Sequence, residues 1–173
     1  MRQLAERHRW IDLERAGTYG HSGGGYAAAG AILRYPDFFK VAVSQAGNHD
    51  NRLYEDDWAE KWQGLLIENP DGGDSYDAQA NQMYAKNLKG KLLLAHGTAD
   101  NNVPPYGTMV LVDELIKENK DFDFVAFPNR RHGFGNEPYM MRKRWDYFVR
   151  HLLGAEPPKE FEFGRARAEG MIP

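Results

Sequence analysis

The chain has 173 residues, no cysteine and a net charge of −3 with both signs mixed along its length. That balance leaves no electrostatic footprint for nucleic acid or an anionic membrane surface, and the lack of cysteine excludes disulfides, thiolate metal sites and a cysteine nucleophile. With 42% hydrophobic and 13% aromatic residues, it has the composition of a packed globule of one domain, and no apolar stretch nears the roughly 20 residues of a membrane span.

Leu4 to Trp10 reads as the end of an amphipathic helix, and no signal peptide is visible ahead of it. Arg15 to Gly20 reads as a short buried strand. Tyr26 to Leu33, rich in alanine, reads as a tightly packed helix that Pro36 stops. Phe39 to Ser44 alternates and is β-branched, which predicts a second strand. Gly47 to Ala85 is less regular. It holds Tyr54, Trp58, Trp62 and a Pro-Asp-Gly-Gly loop, and suggests a helix, a loop and another helix walling the sheet.

Lys91 to His96 is a continuous apolar run, the pattern of a strand covered on both faces. Met109 to Glu118 has helical spacing, Phe122 to Phe127 predicts a fourth strand, and Met140 to Leu153 is a last amphipathic helix. The tail, 157–173, is rich in Pro, Glu and Arg and is expected to be poorly ordered. Strands alternating with helices predict an α/β fold with a mostly parallel sheet and flanking helices.

Gly20-His21-Ser22-Gly23-Gly24 fits G-x-S-x-G between a strand and a helix. In a nucleophile elbow the serine sits on a sharp turn, and glycines two positions either side remove a collision between chain segments. The N–H of Gly23 then opens a helix, where developing negative charge is favoured. Taken alone the motif also suits a glycine-rich turn that cradles phosphate. A serine nucleophile needs a base and a group that orients it. Asp100 follows the third strand and His132 the fourth. Each alone has an ordinary use, Asp100 as a turn former and His132 as a surface histidine beside two arginines. Together they give the order Ser, Asp, His, each after a strand and on one sheet edge. His21 and His96 read as packing residues beside strands. His49 and Asp50 lack the spacing of a metal ligand set, so neither a metal nor another cofactor is expected.

Four stretches, "GHSGGGY", "ILRYPDFFKVAVSQAGNHD", "LLLAHGTADNNVP" and "RRHGF", carry a resemblance to the catalytic domain of the prolyl oligopeptidase family, and within it to the dipeptidyl peptidase IV branch. The resemblance covers about Gln3 to Pro157. It implies an α/β-hydrolase fold and a serine peptidase that removes N-terminal dipeptides of Xaa-Pro or Xaa-Ala type from a peptide substrate. It gives Ser22 the role of nucleophile, His132 that of base, Asp100 that of orienting group, and the Gly23 N–H one place in the oxyanion hole. Tyr54, Trp58 and Val103 match the pocket for the residue before the cut, and Asn102 matches a side chain that holds a substrate carbonyl. Trp58 stands where the branch usually has tyrosine, and His21 where it has tryptophan. An acylaminoacyl peptidase or esterase on the same residues, and a non-catalytic interaction fragment, are the alternatives.

The family domain has eight strands joined to an N-terminal β-propeller, and only about four strands, the elbow strand first, are recognisable here. Residues 1–156 are therefore expected to be a partial catalytic domain that lacks its first strands, the propeller and one oxyanion donor. The isolated chain is expected to be weakly active or inactive and to form homo-oligomers through its uncovered edge. Exported relatives point to a periplasmic or secreted parent.

Overall fold

The computed structural model describes residues 1–163. Four strands, β1 (Ala16–His21), β2 (Phe39–Gln45), β3 (Lys91–Gly97) and β4 (Asp123–Phe127), form one parallel sheet in the order β1-β2-β3-β4. Parallel neighbours require crossovers, and the chain supplies helices for them. Helix α1 (Arg2–Arg7) precedes the sheet, α2 (Gly23–Arg34) links β1 to β2, α4 (Pro105–Lys117) links β3 to β4, and α5 (Pro138–Phe148) follows β4. The short α3 (Asp56–Gln63) lies in the long connection between β2 and β3.

The continuous apolar runs of β2 and β3 are explained by burial on both faces. Ala42, Leu92 and Leu94 pack with Ala29, Ile32 and Leu33 of α2 and with Leu111 and Leu115 of α4. Val41, Val43, Leu93 and Ala95 face the other way, onto Phe127, Phe134, Met140 and Tyr147. Full burial of each large aliphatic side chain is worth about 2 kcal/mol, so these two layers hold the sheet in place. All four strands run the same way, so their C-terminal ends lie along one rim. Ser22, Asp100 and His132 all follow strand ends on that rim.

Several element bounds differ from the sequence expectation. Helix α2 begins at Gly23, three residues before Tyr26, because the glycines that disfavour a helix locally are held by the turn. Helix α4 begins at Pro105, where proline's fixed φ suits the first helical position and its missing N–H costs nothing. The last helix runs Pro138–Phe148, then passes into a wider π turn, Val149–Leu153, ended by Gly154 in a left-handed conformation. Helix α1 stops at Arg7, before Trp10, and buries none of its residues. The second helix expected before β3 is instead a pair of 3-10 segments, Asp77–Gln79 and Asn81–Asn87. Part of the expected tail, 164–173, lies outside the described residues; 157–163 has no helix or strand.

The connection after β2 is held down by one cation. Arg52 reaches Asp50 at 2.8 Å, Asp74 at 3.0 Å and Asp77 at 2.7 Å. This joins the start of the connection to the segment 74–77 on the other side of α3. Burial pushes the Asp50 carboxyl up, but hydrogen bonds from Arg52 and Gln82 outweigh it and hold it below its ordinary value. A backbone N–H at Asp74, with Arg52, holds Asp77 low as well.

Glycine is required at Gly20 by a close approach. A Cβ there would land on the backbone carbonyl of Gly24. The crowding is one-sided, because a Cβ on Gly24 meets nothing within 4 Å. The expectation that both glycines relieve the collision is thereby corrected: Gly24 contributes its backbone, and Gly20 contributes the space. Gly20→Ala is predicted to destabilise the fold by about 3 kcal/mol or more, as overpacking against rigid backbone does. Gly24→Ala, in an open helical position, is predicted to be neutral or stabilising; urea denaturation of both variants checks the contrast.

Replacing Arg52 by leucine leaves Asp50, Asp74 and Asp77 without their shared cation. The melting temperature is predicted to fall by about 5 °C, with new protease cleavage in 64–76. Asp50 and Asp77 titrate below 3.8 in the folded chain. Their contribution is therefore complete above that pH and disappears as pH falls through the lowered values. The gap between wild type and Arg52→Leu should narrow below about pH 4, as thermal melts across pH would show.

Among the described residues, the outer edge of β1 has no partner strand. Beside it Tyr19 and Trp145, half exposed at 49% and 45%, pack edge to face at 6.0 Å. Unpaired edges recruit other chains. Light scattering is expected to show concentration-dependent association; a strictly monomeric species at all concentrations would refute this.

Candidate active site

Ser22 joins β1 to α2 and carries the strain of the turn. Its φ is +60° and ψ −126°, a conformation disfavoured for any residue with a Cβ. It is kept there by its own N–H, which donates to Gln45 O at 2.8 Å, and by its carbonyl, which accepts from Tyr26 N–H at 3.0 Å. Gly25 allows α2 to lie directly against β2, since a Cβ there would strike the Gln45 carbonyl. Ser22 is the N-cap residue of α2, yet its side chain makes no capping bond. Among the described residues its hydroxyl has no hydrogen-bond partner, and it is part-exposed at the rim.

Asp100 sits in the loop after β3, its side chain fully buried. Its Oδ1 accepts the N–H groups of Asn102 and Val103, both at 3.0 Å. Its Oδ2 lies 2.8 Å from His132 Nδ1. A carboxylate can only accept, so Nδ1 carries the proton of a neutral His132 and Nε2 is left with a lone pair. The His132 side chain is 26% exposed, open enough to meet a substrate.

His21 and His96 were read as packing residues, and both touch this pair. The His21 ring packs tilted against that of His132, centroids 4.7 Å apart, and meets Phe134 edge to face. Because His21 precedes Ser22 in the chain, this contact holds the β1 and β4 loops side by side. Burial pushes the His21 pKa down, with the nearby His132 adding to the effect, so two adjacent cations are avoided. His96 Nε2 lies 3.3 Å from Asp100 Oδ2. The four-residue spacing of His96 and Asp100 was visible in the sequence; the turn that folds Asp100 back onto the strand was not.

A cavity of about 830 Å³ opens at Ser22. Gly23, Gly24 and Tyr26 line it from α2, and Trp58 and Trp62 from α3. One wall is polar: Asn48 donates to Asn51 at 2.7 Å, and Asn51 donates to Gln63 at 3.2 Å. Ser75 and Gln79 complete it. Of the four residues matched to substrate binding, Trp58 lines this cavity. Tyr54 packs edge to face on Trp58 at 6.1 Å and donates its hydroxyl to Asn102 Oδ1 at 3.2 Å. Val103 is buried at 2% exposure. The amide row escaped sequence reasoning because its members lie in an irregular stretch and carry no spacing signature. Nor do His49 and Asp50 stand together as ligands. His49 is buried against Asn81 at 3.0 Å, with its pKa brought down to about 3 by burial, and Asp50 is turned to Arg52.

Strained serine, buried Asp–His pair and cavity thus share one rim, and known proteins repeat the arrangement of the chain that builds it. A family model described as "Prolyl oligopeptidase family" matches residues 1–155. Human "Dipeptidyl peptidase 8" is 32% identical over 156 residues, covering 88% of this chain and 16% of that protein. The structure of Porphyromonas gingivalis dipeptidyl peptidase 4 superposes with a TM-score of 0.74 at 25% identity, over 83% of this chain and 20% of that one. An acylaminoacyl peptidase bound to a peptidyl chloromethyl ketone shares the fold, with a TM-score of 0.74 at 24% identity over 92% of this chain and 27% of that one. The chain thus spans between 16% and 27% of the length of these three proteins. Its parallel sheet with helices on both faces is an α/β-hydrolase sheet, and the chain belongs to the prolyl oligopeptidase family.

Proposed function

We propose that this chain carries the reacting groups of a serine peptidase that removes dipeptides from peptide N-termini. The observation that supports this best is the 2.8 Å contact of His132 Nδ1 with buried Asp100, on the rim that also bears strained Ser22. In the proposed reaction His132 Nε2 takes the Ser22 proton as Oγ attacks the scissile carbonyl. The N–H of Gly23, at the start of the 12-residue α2, meets the developing oxyanion, where the helix dipole favours negative charge. The imidazolium then protonates the leaving amine, the C–N bond breaks, and water repeats the sequence on the acyl-enzyme. Asp100 holds the tautomer throughout. No metal or cofactor has a part in these steps.

The dipeptide assignment draws on the dipeptidyl peptidases among the relatives. Trp58, with Tyr54 at its edge, offers a flat face to a proline ring. The amide row of Asn48, Asn51 and Gln63 is the observation that favours a second reading, an acylaminoacyl peptidase or esterase on the same three residues. A non-catalytic role leaves the strain at Ser22 without a purpose.

A fluorophosphonate probe is predicted to modify Ser22 and to leave Ser22→Ala untouched. His132→Ala should slow labelling by about 10³-fold or more. Equal labelling rates in wild type and His132→Ala would refute the assignment. Cleavage of Xaa-Pro anilides over simple esters selects the dipeptidyl peptidase reading, and the reverse order selects the second.

A further inference from the structure

His96 is 1% exposed, lies in β3, and takes no part in the proton transfers described above. Its two ring nitrogens nevertheless have defined partners. Nδ1 is 2.7 Å from the Thr108 hydroxyl on α4. Nε2 is 3.0 Å from the carbonyl of Val103 and 3.3 Å from Asp100 Oδ2. Both neighbours of Nε2 can only accept, so Nε2 carries the proton. Nδ1 is then the acceptor, and the Thr108 hydroxyl donates to it. Burial pushes the His96 pKa down, in keeping with a neutral ring of one tautomer.

We propose that His96 is a positioning residue for the Asp100–His132 pair, its Nε2–H shared between the Val103 carbonyl and Asp100 Oδ2. The proposal rests on the reading of Asp100 and His132 given above. The Asp100 carboxylate accepts three hydrogen bonds, two from backbone N–H groups on Oδ1 and one from His132 on Oδ2, and the His96 N–H stands 3.3 Å from Oδ2. A buried carboxylate left short of donors leans harder on those that remain. His96 occupies the Oδ2 lone pair that His132 does not use, and two things follow. The carboxyl plane cannot rotate away from His132. The negative charge felt by His132 is also shared with a second donor, which keeps the imidazole from being held too strongly as imidazolium. Thr108 fixes the ring from behind, so helix α4 sets the position of the carboxylate through His96.

The groups around His132 are Asp100 from the β3 loop, His96 from β3, His21 from the end of β1, and the adjacent Arg130 and Arg131. Of these, Arg130 is paired with Glu137 at 2.9 Å.

The test is the titration of His132, followed by ¹⁵N–¹H NMR of the histidine-labelled full chain, with the pH profile of fluorophosphonate labelling alongside. His96→Phe keeps the bulk and removes the donor. The His132 midpoint is expected to rise by about one pH unit, and labelling should shift to higher pH by the same amount. In His96→Gln the side-chain amide nitrogen falls where Nε2 lies, and the midpoint should return towards the wild-type value. Thr108→Val frees the ring to turn without removing it; it should move the midpoint in the same direction by less, and it serves if His96→Phe does not fold. A His132 midpoint unchanged in these variants, with Ser22 labelling intact, overturns the role of His96 alone. Labelling of wild type and His132→Ala at the same rate overturns the reading of the site, and the inference with it.

Discussion

The approach of Gly20 to Gly24 is the contact on which the site depends. Strand β1 must reverse into α2 within two residues, and the only way through is for the Gly20 backbone to lie against that of Gly24. This forces Ser22 to a positive φ and lifts its side chain off the sheet. The cost is local strain of the order of 1–3 kcal/mol. It is offset by packing further along, where Ala28, Ala29 and Gly30 bury the inner face of α2 and Ile32 and Leu33 enter the core between α2, α4 and the sheet. A helix of larger residues could not lie close enough to keep the elbow closed.

The second constraint is electrostatic. Burying a carboxylate is unfavourable unless its oxygens are supplied with donors. Asp100 meets this with backbone N–H groups that its own loop presents and with the His132 imidazole, with His96 close by at 3.3 Å. The same desolvation strengthens its hold on His132, because interactions count for more where water is excluded. Stability and reactivity therefore place the same demand on one side chain. The neutrality of His21 and His96, enforced by burial, keeps the cluster from gathering competing positive charge.

The cavity has a different origin. Its floor comes from the elbow, but its walls come from the long β2–β3 connection, whose core contacts lie mainly in its last part, at Ala85 and Leu88. Arg52 ties the first part of that connection to Asp74 and Asp77 beyond α3. An aromatic face of Trp58 and Trp62 thus stands beside a row of carboxamides. Catalytic groups on a rigid sheet rim and a pocket on a pinned loop is an arrangement in which substrate choice can vary without disturbing the chemistry.

The amino-acid sequence by itself determined the alternation of strands and helices, the elbow at Ser22 and the order Ser22, Asp100, His132. These features rest on local rules: side-chain periodicity, glycine where backbone must approach backbone, and polar residues just after strands. Tertiary structure alone decided the rest. It started α2 at Gly23 despite poor local propensity, made 3-10 segments of the expected second helix in the β2–β3 connection, and placed the Asn48, Asn51 and Gln63 amides in one row. It also brought His21 and His96, which sequence logic assigned to packing, against the His132–Asp100 pair. The physical reason is that hydrogen bonds and burial depend on distance in space. Residues separated by tens of positions leave no periodic trace when they meet, and a buried ring shows its partners only once the loop beside it has closed.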